Sequence, residues 1–158
     1  MLHTIIRTYF KQIKGRHRIS NASVNLLARF AIDAIFELVL KANLKRKEDG
    51  KLTLTVDNLI YAYKEDLNDD YLLSNVYYDE FMETLNIADS LDEYVHDIIF
   101  ERITRKLIEN NVKMMTKSSR IFIALYFKYL IIQTLEKAAR YAKTMTINEE
   151  DIEKAIDN

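Results

Sequence analysis

The sequence predicts an all-α chain made of two copies of one helical unit. Three observations carry this. The 158 residues include no proline and only two glycines, Gly15 and Gly50, so obligatory breaks are few and helices joined by short turns are favoured over a strand-rich fold. Apolar residues recur at helical spacing through two long stretches, the pattern of helices with buried faces. Finally, the chain repeats itself. A shift of 96 places sets Ile19 on Met115, Ala28 on Ala124, Ile35 on Ile131, Lys41 on Lys137 and Ala42 on Ala138. A turn three residues shorter then restores register and lays Thr53-Leu54-Thr55 on Thr146-Ile147-Asn148, Leu59 on Ile152 and Ala62 on Ala155. A unit that cannot bury its own apolar helix must stack on another.

The elements follow in order. Thr4 to Lys14 reads as a short helix with Ile5, Ile6, Phe10 and Ile13 inward and Arg7, Lys11 and Lys14 outward, ended by Gly15. Ser20 is the expected N-cap of a long helix whose inward positions are Val24, Leu27, Ala31, Ala34, Ile35, Leu38 and Ala42. Beyond Gly50, Thr53-Leu54-Thr55 is β-favouring and extended, and Thr55 caps a helix that sets Leu59, Ala62 and Tyr63 on the core. Asp69 to Asn86 is an added helix, acidic on one side, with Tyr71, Leu72, Val76, Phe81, Met82 and Leu85 available for packing. Ser90 is placed to cap a helix from Leu91 towards Ile108, and Asn110 and Asn111, which tolerate a left-handed backbone, replace glycine in the turn. The second long helix is expected over Ser118 to Ala142, apolar on more than one face and so packed on both sides. Asn148 caps the last helix, with Asp151 in capping-box position and Glu149 and Glu150 at its positive end.

Composition removes several function classes. Without cysteine there is no disulfide framework, Cys-ligated zinc or thiol nucleophile. The longest apolar run, Ile121 to Leu135, contains Lys128 and Gln133 and falls short of the roughly 20 residues of a membrane span. Arg7 and Lys11 interrupt the apolar character a secretory leader would need. His3, His17 and His96 are scattered; His96 with Asp92 and Glu93 one turn earlier suits surface ion pairing better than metal. No phosphate loop, nucleophile elbow or paired-carboxylate motif is present, so no enzyme, cofactor, metal or small-molecule substrate is expected. Tyr126, Phe127, Tyr129 and Met82 read as core packing rather than a stacking platform.

The net charge of -1 hides a pattern. Residues 1–51 carry +7, residues 52–101 carry -12, residues 102–147 carry +8 and residues 148–158 carry -4, so basic and acidic blocks alternate at the period of the repeat. A single charge run is ordinarily a solvated face, but its recurrence points to function.

Short helix, long helix, short helix with two tight turns resembles the histone fold. The first half resembles the type-2B core histone: Tyr9-Phe10-Lys11-Gln12-Ile13 leads through Gly15 to Ile19-Ser20, then Ala31-Ile32-Asp33-Ala34-Ile35-Phe36-Glu37 is similar to that family's helix-centre motif. The helix from Asp69 to Asn86 takes the place of its extra C-terminal helix. The second half resembles the type-2A core histone, through Arg102-Ile103-Thr104-Arg105, Ile121-Phe122-Ile123-Ala124-Leu125, Lys128-Tyr129-Leu130, Leu135-Glu136, Ala138-Ala139-Arg140 and Ala155-Ile156-Asp157-Asn158. Together they are similar to the fused histone doublets of large double-stranded DNA viruses. The resemblance implies residues 1–86 as the type-2B-like unit and 87–158 as the type-2A-like unit. The two long helices would clasp in an intramolecular handshake, a pseudo-dimer of two tandem histone folds.

It also implies sequence-nonspecific binding to the duplex DNA backbone where the first turn of one half meets the second turn of the other. The residues so implied are Arg16, Arg18 and Ser20 with Lys143, Thr144 and Thr146; Lys113, Lys117 and Arg120 with Lys51 and Thr53; and Arg7, Lys11, Lys14, Arg102, Arg105 and Lys106 along the first helices. The implied partner is a type-3/type-4 histone pair or doublet, and the implied setting a virion, viral factory or host nucleus. Departures are visible. No long basic tail precedes Leu2, and the sequence stops at Asn158, ahead of the segment that docks on that pair. Met114 or Met115 and Met145 stand where the type-2A family has arginine, and the family's acidic patch is matched by Glu136 but not by Lys128 and Gln133. The rival expectation is a histone-fold module that binds protein through its acidic surfaces.

Overall fold

The structure is a computed structural model that describes residues 2–13, 15, 18–88 and 93–157, with residues 93–96 described as backbone only. Ser90, the expected cap, lies outside the described residues, as does Asp92; nothing is described of the side chains of Glu93 and His96.

The first unit comprises α1 (Leu2–Phe10), strand β1 (Arg18–Ile19), α2 (Asn21–Glu48) and α3 (Val56–Glu65). A 3-10 turn (Asp69–Tyr71) and α4 (Asn75–Ile87) follow. The second unit comprises α5 (Glu93–Glu109), α6 (Lys117–Tyr141), β2 (Thr146–Ile147) and α7 (Glu149–Asp157). At 1.5 Å per residue α2 is about 42 Å long, far longer than its own short helices can cover. Each unit therefore covers the other's long helix: α1 and α3 pack on α6, while α5 and α7 pack on α2. All the inward positions expected on α2 are buried, and Ile121 to Leu135 is buried almost all round because α6 is enclosed by helices of both units.

Local signals set the ends of these elements. Ser20 caps α2, its hydroxyl accepting from the Ser23 amide at 3.2 Å. At α3 the Asn58 side-chain oxygen reaches back to the Thr55 amide at 3.0 Å. Asp151 does the same to the Asn148 amide at 2.9 Å, one repeat later. Gly50 and Asn111 both adopt positive φ, 68° and 61°, where α2 and α5 end. In each case the following amide bonds back to a carbonyl five residues earlier, Lys51 to Arg46 and Val112 to Leu107, which closes the helix end.

Four expectations are corrected. The first helix stops at Phe10 rather than Lys14, because the amides of Gln12 and Ile13 bond to Tyr9 and Phe10 and tighten the chain into a turn ahead of Gly15. The second long helix begins at Lys117 rather than Ser118, capped by Thr116. Asp69 to Asn86 is not one helix. Leu72 is extended and the 72–74 segment is pinned by side chains: the Gln133 amide donates to the Leu72 carbonyl at 3.1 Å and accepts from the Ser74 amide at 2.6 Å, and the Tyr63 hydroxyl accepts from the Leu73 amide at 2.8 Å. Helix α4 then starts afresh after Ser74, and Val76, expected to pack, is exposed. Phe81 is its buried anchor, edge-on to Phe122 with ring centroids 4.9 Å apart.

Candidate nucleic-acid interface

Two junctions join the units, and each brings together a first turn from one and a second turn from the other. At the first, β1 pairs in parallel with β2, Arg18 opposite Thr146 and Ile19 opposite Ile147. At the second, Leu54 pairs in parallel with Met115. Both are sealed by the same device. The Ser23 hydroxyl donates to the Ile147 carbonyl at 3.0 Å while paired with Ser20 Oγ at 2.8 Å. The Ser119 hydroxyl donates to the Leu54 carbonyl at 3.1 Å while paired with Thr116 Oγ1 at 2.7 Å. The shifts of 96 and 93 places seen in the sequence thus reappear as equivalent hydrogen bonds. Ser23 and Ser119 were absent from the expected set, although the Ser/Thr-x-x-Ser spacing at both copies is a readable signal.

Each junction sits at the start of a long helix, so the positive ends of α2 and α6 face it. Around the first, Arg18, Lys143 and Thr144 are exposed and Thr146 is half-buried; around the second, Lys51, Lys113, Lys117 and Arg120 are exposed and Thr53 is half-buried. Arg120 also lies over the Phe100 ring, 5.5 Å from its centroid. Lys14 and Arg16 lie outside the described residues.

Not every expected residue is free to bind. Arg7 is half-buried rather than outward, with its guanidinium on the Ile19 carbonyl at 3.4 Å and on the Asn21 side chain, so it braces α1 against the first junction. The Ser20 hydroxyl is committed to its cap, and the Thr144 hydroxyl bonds both the amide and the carbonyl of Thr146 at 3.2 Å, which shapes the turn. Along the first helices Lys11, Arg102, Arg105 and Lys106 are exposed; Arg105 pairs with Glu109 at 3.3 Å and Lys106 lies over Phe36 at 5.2 Å. Helices α1 and α5 pack against each other.

Two features were not foreseen. Arg46, at the end of α2, is buried and bonds Asn43 Oδ1 and the Lys51 carbonyl at 2.8 Å and the Asn111 carbonyl at 3.5 Å, while Asn43 donates to the Asn110 carbonyl at 2.8 Å. This network fixes the turn carrying Lys51 to the turn that leads to Lys113. Gln133, at a place of the family's acidic patch, is buried in the clasp on residues 72–74. Glu136 accepts from the Tyr77 hydroxyl and lines an open cleft of about 580 Å³ with Glu80, Lys128, Tyr129 and Arg140. Among the described residues no three His, Asp or Glu side chains converge as a metal site would require, and no helix is long and apolar enough to cross a membrane.

No family model matches the sequence, and no curated protein does. Among solved structures, the histone from Methanopyrus kandleri superposes with a TM-score of 0.62 at 19% identity, over 97% of this chain and 91% of that one. That match runs through both units and their junctions. The architecture is all-α, with two tandem histone folds in one chain clasped in an intramolecular handshake.

Proposed function

We propose that this chain is a histone doublet, type-2B-like over 1–86 and type-2A-like over 87–158, similar to those of large double-stranded DNA viruses, and that it binds duplex DNA without reading sequence and compacts it. A type-3/type-4 histone pair is its partner in a nucleosome-like particle, within a virion, viral factory or host nucleus. The observation that carries this is the convergence at the two junctions of cations remote along the chain: Arg18 with Lys143, and Lys51 with Lys113, Lys117 and Arg120. Lysine and arginine neutralise phosphates and release counterions; junction amides and helix N-termini hold register without reading bases. No step of catalysis is involved.

The test is charge reversal at Arg16, Arg18, Lys117 and Arg120. With about six phosphates engaged, log Kobs falls with log salt at a slope near -5. The fourfold Glu variant loses duplex binding at physiological salt, and single reversals each flatten the slope by about one. Unchanged binding instead supports a second reading, a histone-fold module that binds protein. One observation favours that reading: Asp79, Glu80 and Glu83 are exposed on α4, within the -12 block.

A further inference from the structure

Three of the large apolar side chains exposed among the described residues lie in the two junctions: Leu52 (82% exposed), Met145 (55%) and Met114 (57%). Single exposed apolar residues are ordinary on any surface. These differ in place and recurrence. Leu52 and Met145 are equivalent under the 93-place shift, and each stands two residues before the paired residue of its junction, Leu54 or Ile147. Met114 belongs to the same junction as Leu52, its carbonyl accepting from the Leu54 amide at 2.9 Å, and the Met145 carbonyl accepts from the Arg18 amide. Exposed cations border each tip, Lys51, Lys113 and Lys117 at one and Arg18 and Lys143 at the other.

We propose that Leu52 and Met145, with Met114 at the junction of Leu52, are apolar wedges that enter the minor groove of duplex DNA where the two cationic junctions hold its phosphates. This rests on the DNA-binding reading above and deepens it. A site that grips phosphates on both sides faces, between them, a groove whose walls are sugar C–H groups and whose floor is base edges. Such a surface rewards an unbranched thioether or an isobutyl group, and leucine and methionine are residues that minor-groove proteins insert at base steps. The tips are bends of two or three residues beside short parallel pairings, too slight to fill a major groove about 12 Å wide but matched to a minor groove of about 6 Å. Insertion costs least at flexible pyrimidine–purine steps, so the chain prefers A·T-rich, deformable duplexes although it reads no base pattern.

The test uses the full chain and a 30-base-pair duplex carrying 2-aminopurine at TA steps. Leu52→Ser/Met145→Ser removes only exposed side chains, and unchanged helical circular dichroism and melting verify the fold. The expected result is a Kd raised about tenfold, the worth of burying part of two apolar side chains. The salt slope stays unchanged, because no phosphate contact is lost. The 2-aminopurine fluorescence rise seen with the wild type disappears, and netropsin competes with the wild type more strongly than with the variant. Leu52→Met/Met145→Leu retains wild-type behaviour. Equal affinity and equal fluorescence rise for the Ser variant overturn the wedge, and do so without touching the DNA reading if the fourfold Glu variant still fails to bind. A flattened salt slope in the Ser variant also overturns it, since the loss would then lie in the phosphate contacts. Absence of duplex binding by the wild type removes both.

Discussion

Buried at the end of α2, Arg46 has its guanidinium met by oxygen dipoles: Asn43 Oδ1 and the carbonyls of Lys51 and Asn111. Truncating such a group leaves buried acceptors without donors, so Arg46→Ala is expected to destabilise the chain by about 3 kcal/mol, measured as a lower urea midpoint at constant m. Arg46→Lys recovers little, because an ammonium lacks the planar fork that spans these oxygens. Some residue roles were legible in the sequence because they act locally. Ser20 caps α2, Thr55 is the N-cap residue of α3, Asp151 reaches back to the Asn148 amide at the start of α7, and Asn111 takes the left-handed backbone its side chain tolerates. Nothing in Lys45-Arg46-Lys47 sets the middle residue apart, since its partners at Lys51 and Asn111 are defined by the meeting of two turns from different halves. Arg7 departs from the outward position for the same reason: helical spacing turns it outward, while the neighbouring turn supplies the Ile19 carbonyl that draws it in.

Among the elements, the long helices, their caps and the extended Thr53-Leu54-Thr55 were readable from periodicity and propensity, whereas the linker was not. Leu72 and Leu73 fit a helix by composition, yet Leu72 and Ser74 are extended and bonded to Gln133, 61 and 59 residues away. This attachment carries its own pH dependence. Burial pushes the Tyr63 hydroxyl up from 10.0 to about 12, against the lowering effect of the hydrogen bond it accepts from the Leu73 amide. Burial also raises Tyr77, reinforced by its bond to Glu136, and raises Tyr126, whose hydroxyl donates to the Tyr71 carbonyl at 2.6 Å. The folded chain keeps these protons where the unfolded chain has lost them. The stability these tyrosines contribute is therefore fully present below about pH 10 and falls as pH rises towards 12. Urea midpoints measured from pH 9 upward should show that fall, and Tyr63→Phe should lessen its slope, as one raised tyrosine is removed. A slope indifferent to Tyr63→Phe would mean that other groups set the alkaline limit.

At the scale of the whole molecule, the repeat in the sequence and the symmetry of the junctions are one fact. Positions 96 and 93 apart place Ser23 and Ser119 on the Ile147 and Leu54 carbonyls, and each unit's long helix is covered by the other's short ones. A unit on its own would lose the packing of α5, α6 and α7 on α2, or of α1, α2 and α3 on α6, so neither half has a complete core without its mate. Because both halves belong to one chain, their meeting is intramolecular, at an effective concentration of order mM for a short connection. This separates the handshake from a true dimer. For a bimolecular pair, each tenfold rise in concentration adds about 1.4 kcal/mol, which in a chain of this size lifts the melting midpoint by roughly 3 to 6 °C. The fused pair has no such term. Melts across a hundredfold range of protein concentration should coincide within a degree, with the mass of one chain throughout by light scattering. A midpoint that climbs with concentration would mean that the units pair between chains, and the cations that meet at each junction would then come from two molecules rather than one.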